Sequence, residues 1–395
     1  MSSPIAPSES APVTPNVPSA PAPAAKISTA SIVATMLQVS KQVSDLIFSP
    51  SRAPQVELNG QLRELNIAGV GKLTPDATRR IAIDLIGNNE LVASKLEKEG
   101  ATDLSYSLPG LARFRVNIFR QRGSYAIVMR VIPQAIPDFK VLNLPPQLGE
   151  IAELRNGIVL VTGPTGSGKS STLAAILNKI NEEKAYHILT IEDPIEFLHV
   201  HKKSTIHQRE LHSDTPSFAL ALRAALRQAP KVILVGEMRD KETIEIGMEA
   251  AETGHLVFST LHTVDASKTI ERIVGVFPLA DQQAIRTRLA RTFRYIVSQR
   301  LIPKKDGTGR VAAIEILKST MRTREYVEKG ESEGKSLLDA MRDGSTEGMQ
   351  HFDGELERLI RAGVLDIEPA LSYASNPGNL RLELADLADA AAEGA

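Results

Sequence analysis

The segment GPTGSGKS at Gly163–Ser170 is the part of this chain whose residue types and spacing predict chemistry most clearly. It directly follows the apolar run Gly157–Thr162 and directly precedes the helix-like sequence STLAAILNKI. A buried strand, a glycine-rich loop and a helix in that order form a phosphate-binding P-loop, in which backbone N–H groups and a helix N-terminus surround an anion. The segment therefore predicts that the chain binds a nucleoside triphosphate.

Individual residues of this loop have separate expected roles. Lys169 is expected to reach the β- and γ-phosphates, and the hydroxyl of Ser170 is expected to hold Mg²⁺. The predicted nucleotide-binding residues of the loop and the first helical turn are Gly163, Pro164, Thr165, Gly166, Ser167, Gly168, Lys169, Ser170 and Ser171.

The elements around the loop form a repeating pattern from about position 148 onward. Short β-branched runs (GIVLVT, HILTIED, KVILVGE and HLVFSTLH) alternate with helical segments, which predicts an α/β fold with a mostly parallel, doubly wound sheet. Ligands of such sheets bind beyond the carboxyl ends of the strands. The P-loop, Glu192, Glu237 and His262 each follow one of these runs, so we expect them to converge on one site.

Carboxylates near the predicted phosphate site are candidates for catalysis. Gly236 stands where a Walker B aspartate is usual, so Glu237 is predicted to act as a base or to position the attacking water. Glu192 and Glu196 are candidates to act as a base or to bind water on the metal. Plain turn and capping roles for these two residues remain equally open.

Two histidines and two arginines extend the candidate site. His255 and His262 lie on either side of one apolar run, and an imidazole can donate to a γ-phosphate and sense its loss. Arg113 and Arg115 alternate along a strand and share one of its faces, where they are candidates to stabilise γ-phosphate charge as an arginine finger does. A solvated basic strand face is the alternative interpretation.

Composition limits the class of protein. The 395 residues carry 46 basic and 47 acidic side chains and no cysteine, which gives a formal net charge of −1. So balanced a chain has no overall attraction for nucleic acid, and without an 18-residue apolar run we expect no direct membrane insertion. We expect a cytoplasmic protein.

The chain divides by composition into five predicted segments. Residues 1–26 are rich in Pro, Ala and Ser and are predicted to be a disordered arm. Residues 27–133 are predicted to form a small α+β domain that begins with a helix over Ala30–Val43, and residues 134–147 form a proline-punctuated linker. The nucleotide-binding domain is expected over residues 148–372, with a tail over 373–395.

Five motifs together resemble the secretion-ATPase superfamily and, within it, the type IV pilus retraction ATPases of the PilT and PilU group. GPTGSGKSST is similar to the Walker A motif of that family, HILTIEDPIEF to its Asp box, and VILVGEMRD to its atypical Walker B motif. AAETGHLVFSTLHT is similar to its His box, and RFRVNIFRQRG to the arginine-bearing strands of its N-terminal domain. The resemblance covers about residues 28–380.

This resemblance implies a PAS-like N-terminal domain followed by a RecA-like ATPase domain, with ATP and Mg²⁺ as cofactors. It implies a homo-hexameric ring that works with an inner-membrane platform protein at the cytoplasmic face of the membrane and drives pilus disassembly. Glu237 is then the essential carboxylate, and Arg130 joins Arg113 and Arg115 as a residue that approaches the nucleotide.

Departures from the family pattern leave two alternatives open. MRTREYVEKGES replaces the AIRNLIRE-type helix, and the C-terminal segment is closer to PilU, which favours an accessory ATPase that depends on a paralogous retraction ATPase. Gln228–Lys231 (QAPK) also replaces a more acidic segment before the Walker B motif. The second alternative is a RecA-like motor that is stimulated by nucleic acid, although the neutral charge and the absence of tryptophan argue against it.

Overall fold

The structure, a computed structural model, describes residues 27–386 apart from positions 59 and 134. The predicted N-terminal arm and the end of the predicted tail lie outside the described residues. Helix α1 (Thr29–Leu37) ends before the predicted Val43, because Val43 is instead the first residue of a strand whose apolar side chains enter a sheet.

The first six strands form one sheet in the order β3-β2-β1-β6-β5-β4. These strands are β1 (Val43–Phe48), β2 (Gln55–Leu58), β3 (Gln61–Glu64), β4 (Ala101–Leu108), β5 (Ala112–Gln121) and β6 (Ser124–Ile132). Helices α2 (Pro75–Ile86) and α3 (Glu90–Glu99) separate β3 from β4. Each helix has a side-chain N-cap, Thr74 for α2 and Asn89 for α3, which supplies an acceptor for an otherwise unpaired backbone N–H.

A second sheet of seven strands carries the P-loop and has the order β13-β12-β7-β11-β10-β8-β9. Its strands are β7 (Gly157–Thr162), β8 (His187–Glu192), β9 (Thr205–Glu210), β10 (Val232–Val235), β11 (Leu256–Leu261), β12 (Phe293–Pro303) and β13 (Arg310–Lys318). All neighbours are parallel except β12 and β13. Every residue of β7, β10 and β11 is buried, as expected for central parallel strands covered on both faces.

Helices cover the second sheet and continue beyond it. They are α4 (Lys169–Glu183), α5 (Phe218–Ala225), α6 (Lys241–Glu252), α7 (Ala266–Gly275), α8 (Leu279–Thr292), α9 (Met321–Lys329), α10 (Leu337–Asp343), α11 (Phe352–Arg361), α12 (Ile367–Leu371) and α13 (Pro377–Glu383). Leu380 and Leu384 are buried in one cluster with Phe352 and Leu356 of α11. Helical packing therefore extends beyond position 372, where the tail was predicted to begin.

The chain forms two compact units. The first contains the chain up to Gly87 together with Arg120–Val128, and the second contains Asn88–Phe119 and the chain from Met129 onward. Strand β4 and most of β5, including Arg113 and Arg115, thus belong to the same unit as the P-loop. Among the described residues, no helix has both the length and the apolar character needed to cross a membrane.

Candidate active site

The P-loop connects β7 to α4 through three glycines in the left-handed part of backbone space. Gly163, Gly166 and Gly168 have φ values of 142°, 77° and 91°. A Cβ at Gly163 would also overlap the carbonyl oxygen of Gln299. Backbone conformation therefore favours glycine at all three positions, and close packing also requires it at Gly163, so that the loop can curl at the end of the buried strand.

Strand β12 supports this loop from the side. The amide Nε2 of Gln299 donates to the carbonyl oxygen of Ser167 at 2.7 Å, and the hydroxyl of Thr162 donates to Ser298 at 3.0 Å. Gln299 and Ser298 are buried, so these bonds are shielded from water. Neither residue was predicted as part of the site, because their partners lie more than a hundred positions earlier in the chain.

Lys169 is the first residue of α4 and lies against the loop. Its Nζ donates to the carbonyl oxygens of Gly163 at 2.9 Å and Pro164 at 3.0 Å. Burial lowers the pKa of Lys169, and the nearby charges of Glu237 and Glu196 oppose that shift. The ammonium group thus lies at the mouth of the P-loop.

His262 connects Lys169 to Glu237. Its Nδ1 lies 3.5 Å from Nζ of Lys169, and its Nε2 lies 3.4 Å from Oε2 of Glu237. Because an ammonium group can only donate, Nδ1 must accept and Nε2 must carry the proton in the neutral imidazole. Burial and then the charge of Lys169 lower the pKa of His262, which favours this neutral form with its Nε2–H facing the carboxylate.

Glu237 follows β10, and its two carboxylate oxygens differ in their contacts. Oε1 pairs with Nε of Arg239, whereas Oε2 is buried and has no hydrogen-bond partner among the described residues. The contact to His262 at 3.4 Å is an ion-pair distance and does not have hydrogen-bond geometry. A buried carboxylate oxygen without a donor is rare and is typical of a site where water, an ion or substrate binds.

Gly236 explains why no aspartate precedes Glu237. A Cβ at this position would lie 3.3 Å from the carbonyl oxygen of Ile191 and 3.4 Å from Cα of Glu192. The hydroxyl of Thr260 also donates to the Gly236 carbonyl at 2.6 Å. The ends of β8, β10 and β11 are thus packed so closely that a larger side chain would require the neighbouring backbone to shift by a few tenths of an ångström.

Glu192 has the opposite environment. Oε1 accepts from the hydroxyl of Thr190 at 2.6 Å and from Nε2 of Gln208 at 3.1 Å, and Oε2 accepts from the backbone N–H of Glu196 at 3.3 Å. Burial raises the pKa of Glu192 despite these donors. Its carboxylate therefore fixes the turn after β8, whereas Glu196 on that turn is exposed.

A cavity of about 320 Å³ brings most of the predicted site residues together. Those that line it are Arg115, Thr165, Gly166, Lys169, Ser170, Glu192, Glu196, Glu237 and His262. Sequence reasoning missed several other lining residues, among them Arg239, Thr260, Phe197 and Phe218. Arg239 could have been predicted from the sequence, since it lies two positions after Glu237 in the Walker B segment.

Three predicted residues lie away from this cavity. Arg113 pairs with Glu210, and Arg130 is exposed on β6. His255 precedes β11 at its amino end, where its Nδ1 contacts the carbonyl oxygen of Ala250 at 2.9 Å. Because the P-loop lies at the opposite edge of the sheet, about 20 Å away along a six-residue strand, the structure does not bring His255 to the loop.

The oxygen-rich wall of the cavity fits Mg²⁺, which prefers oxygen ligands and keeps much of its coordination for phosphates and water. Ser170 offers a hydroxyl to the ion, and the unpartnered carboxylate oxygen of Glu237 can accept from a water molecule beside it. Within the described residues, no group of three or more His, Cys, Asp or Glu side chains is suited to hold a metal ion alone. The arrangement thus fits an ion that enters with the nucleotide.

Comparison with known proteins agrees with this geometry. The sequence profile of the type II/IV secretion system protein family matches residues 60–365. The type IV pilus retraction ATPase PilT of Pseudomonas aeruginosa is 43% identical over 336 residues, which cover 85% of this chain and 95% of PilT. The type IV pilus ATPase PilU of the same organism is 37% identical over 346 residues, covering 88% of this chain and 89% of PilU.

Solved structures include a similar fold. A crystal structure of the pilus retraction motor PilT with bound ADP superposes with a TM-score of 0.80 at 41% identity and covers 90% of this chain and 99% of its own. The predicted α/β fold class with a mostly parallel sheet and the predicted nucleotide-binding family are confirmed. The chain belongs to the type II/IV secretion system protein family and is a P-loop ATPase of the group that contains PilT and PilU.

Proposed function

We propose that this chain hydrolyses ATP in the presence of Mg²⁺ and that hydrolysis powers retraction of a type IV pilus. The observation that carries the proposal is the unpartnered Oε2 of Glu237, buried in the P-loop cavity beside His262 and Lys169. The identity to PilT over 85% of the chain supports the biological role.

Binding of the triphosphate falls to the P-loop. Its backbone N–H groups and the N-terminus of α4 surround the β-phosphate, while Lys169 exchanges its two carbonyl partners for phosphate oxygens. Mg²⁺, held by the hydroxyl of Ser170 and phosphate oxygens, would neutralise charge on the β- and γ-phosphates. Arg115 lies in the wall of the same cavity and stabilises charge on the γ-phosphate.

Glu237 activates the attacking water. Its unpartnered Oε2 accepts a hydrogen bond from that water, orients it towards the γ-phosphate and takes its proton as the new P–O bond forms. The bond from the γ-phosphorus to the bridging oxygen breaks in the same step, and ADP is the leaving group. The neutral imidazole of His262 carries its proton on Nε2, 3.4 Å from Oε2 of Glu237, and its ring bounds the space in which the carboxylate and the water lie. Glu196 is exposed at the cavity and binds outer water, whereas Glu192 holds the turn.

Assembly into a homo-hexamer on the cytoplasmic face of the inner membrane, against a platform protein of the pilus machine, forms the rest of the proposal. It rests on the similarity to the pilus ATPases. A ring would let γ-phosphate contacts bias the closure of successive subunits, which is a general way to convert hydrolysis into motion.

The principal-motor role is favoured over the accessory role. Identity to PilT is 43% and identity to PilU is 37%, over similar shares of the chain. The QAPK segment also lies away from the cavity, since Gln228 contacts His187 at the amino end of β8. No observation favours a motor that is stimulated by nucleic acid.

The test measures Mg²⁺-dependent ATP hydrolysis and molecular mass across protein concentration, for wild type and Glu237→Gln. We expect turnover to rise cooperatively as rings form, and to fall by roughly 10²–10⁴-fold in the variant. A wild type that assembles and binds ATP but barely hydrolyses it would overturn the motor role in favour of a partner-dependent accessory protein.

A further inference from the structure

Glu210, the last residue of β9, receives three hydrogen bonds on one carboxylate oxygen. Its Oε2 accepts from Nη2 of Arg113 at 2.5 Å, from the hydroxyl of Ser105 at 2.9 Å and from the backbone N–H of Ile195 at 3.0 Å. The side chains of Glu210 and Arg113 are 7% and 17% exposed. So well shielded a pair is costly to break, because either partner alone would be a buried charge without compensation.

Two of these donors lie on either side of Arg115. Ser105 of β4 is the cross-strand neighbour of Arg115, and Arg113 precedes Arg115 by two positions on the same face of β5. Arg113 also donates to the hydroxyl of Ser107, its own cross-strand neighbour, at 3.2 Å. The carboxylate of Glu210 therefore fixes the part of the β4–β5 ladder from which Arg115 extends into the P-loop cavity.

The third donor ties the same carboxylate to the turn after β8. Ile195 lies between Pro194 and Glu196. Both of these residues line the cavity, as does Asp193, whereas Ile195 does not. Glu192 and Glu210 are also paired in the register of β8 and β9. One carboxylate thus links the arginine-bearing strand with the acidic turn of the site.

We propose that Glu210 is a positioning residue that holds Arg115 at the γ-phosphate through Arg113 and Ser105. The proposal rests on the function proposed above and assigns Arg113 to the support of Arg115, without direct contact to the nucleotide. Removing the carboxylate leaves the Arg113 guanidinium without its anionic partner. Strand β5 is then held less firmly, and Arg115 is no longer kept in one position.

A double-mutant cycle separates this role from simple stabilisation of the fold. In the full-length protein, kcat and KM for ATP are measured for Glu210→Gln, Arg115→Gln and the double variant. We expect Glu210→Gln to lower kcat about tenfold with little change in KM, because the contact is formed mainly in the transition state. In the Arg115→Gln background the same change is expected to lower kcat less than about twofold, since coupled residues are not additive.

Two further variants serve as a second test of the positioning role and as a control. Ser105→Ala removes one donor to Glu210 without leaving a buried charge, so this variant is expected to fold even if Glu210→Gln does not. It should lower kcat about twofold to threefold. In the Arg115→Gln background this effect should vanish. Glu252→Gln breaks the bidentate pair with Arg288, at 2.8 and 2.9 Å and outside the cavity, and should leave kcat unchanged.

Equal losses of kcat with and without Arg115 would overturn the positioning role. Failure of the proposed function gives a different result. In that case wild type would not hydrolyse ATP, or Glu237→Gln would hydrolyse it as fast as wild type does. If wild type hydrolyses ATP and Glu237→Gln does not, while Glu210→Gln acts independently of Arg115, only the positioning role is wrong.

Discussion

The carboxyl ends of β8 and β10 each place a glutamate in the wall of one cavity, Glu192 and Glu237, and the two side chains differ in their hydrogen bonds. The Glu192 carboxylate accepts from Thr190, Gln208 and the N–H of Glu196. Glu237 pairs through one oxygen with Arg239 and leaves the other buried and unpartnered in the described part of the chain. A carboxylate whose acceptor sites are filled holds structure, whereas one with an open acceptor site can take a proton or orient water.

Removing Lys169 should have the largest effect on ATP affinity, because its ammonium group lies at the mouth of the P-loop and contacts the β10 side of the cavity through His262. Lys169→Ala is expected to weaken binding of a fluorescent ATP analogue by about a hundredfold or more, since a buried charged hydrogen bond to phosphate is lost. Lys179→Ala on the same helix breaks only the exposed pair with Glu183 and serves as the control. Equal affinities for the two variants would contradict a phosphate-binding role for Lys169.

Glu315 on β13 extends the comparison to a third buried acid outside the cavity. It accepts from the backbone N–H of Ala266 at 2.8 Å and from Ser298, and burial raises its pKa to about 7, with Asp265 and Arg300 as the nearby charges. Between the unfolded pKa near 4.5 and the folded pKa near 7 the folded state binds the extra proton, so stability falls as pH rises through that window.

Glu315→Gln should remove this dependence. Relative to the variant, wild type is expected to lose about 3 kcal/mol of unfolding free energy between pH 4.5 and pH 8, most of it below pH 7. Thermal unfolding of both proteins across pH 4.5–8 measures the difference. Parallel curves would show that Glu315 does not titrate in the folded state as its burial implies.

Gly236→Ala tests the close packing between the two strand ends. The added methyl group meets the backbone of Ile191 and Glu192 at 3.3–3.4 Å, so we expect a loss of about 1–3 kcal/mol in unfolding free energy and a displaced Glu237. Gly275→Ala is the matched control, because its added Cβ has nothing within 4 Å. Thermal unfolding should separate the two variants, and identical midpoints would exclude the predicted crowding.

Much of the fold followed from local patterns. Unbroken apolar runs predicted β7, β8, β10 and β11 as buried parallel strands, and the position of polar residues after each run predicted that the P-loop, Glu192, Glu237 and His262 would share one cavity. Such features depend on residues that are close in sequence, where alternation and turn chemistry are informative.

Other features depend on contacts between distant parts of the chain. Gln299 supports the P-loop from β12, and Glu210 pairs with Arg113 from another sheet, so neither role is visible in local sequence. The difference between Glu192 and Glu237 also arises from donors on β9 and from Arg239, which no periodicity reveals. The position of His255 could have been predicted from the sequence. His255 precedes β11 and His262 follows it, so the two histidines are separated by the length of one strand.

The measurement that tests the central claim most directly compares Glu237→Gln with Glu192→Gln in single-turnover ATP hydrolysis, with ATP affinity determined on the same samples. We predict that Glu237→Gln keeps ATP affinity within about threefold and slows hydrolysis by roughly 10²–10⁴-fold. Glu192→Gln should slow it by less than about tenfold while it lowers unfolding free energy by about 1–3 kcal/mol, because a buried network loses its matched acceptor. Equal hydrolysis rates in the two variants, or a larger loss in Glu192→Gln, would contradict the assignment of Glu237 as the catalytic carboxylate.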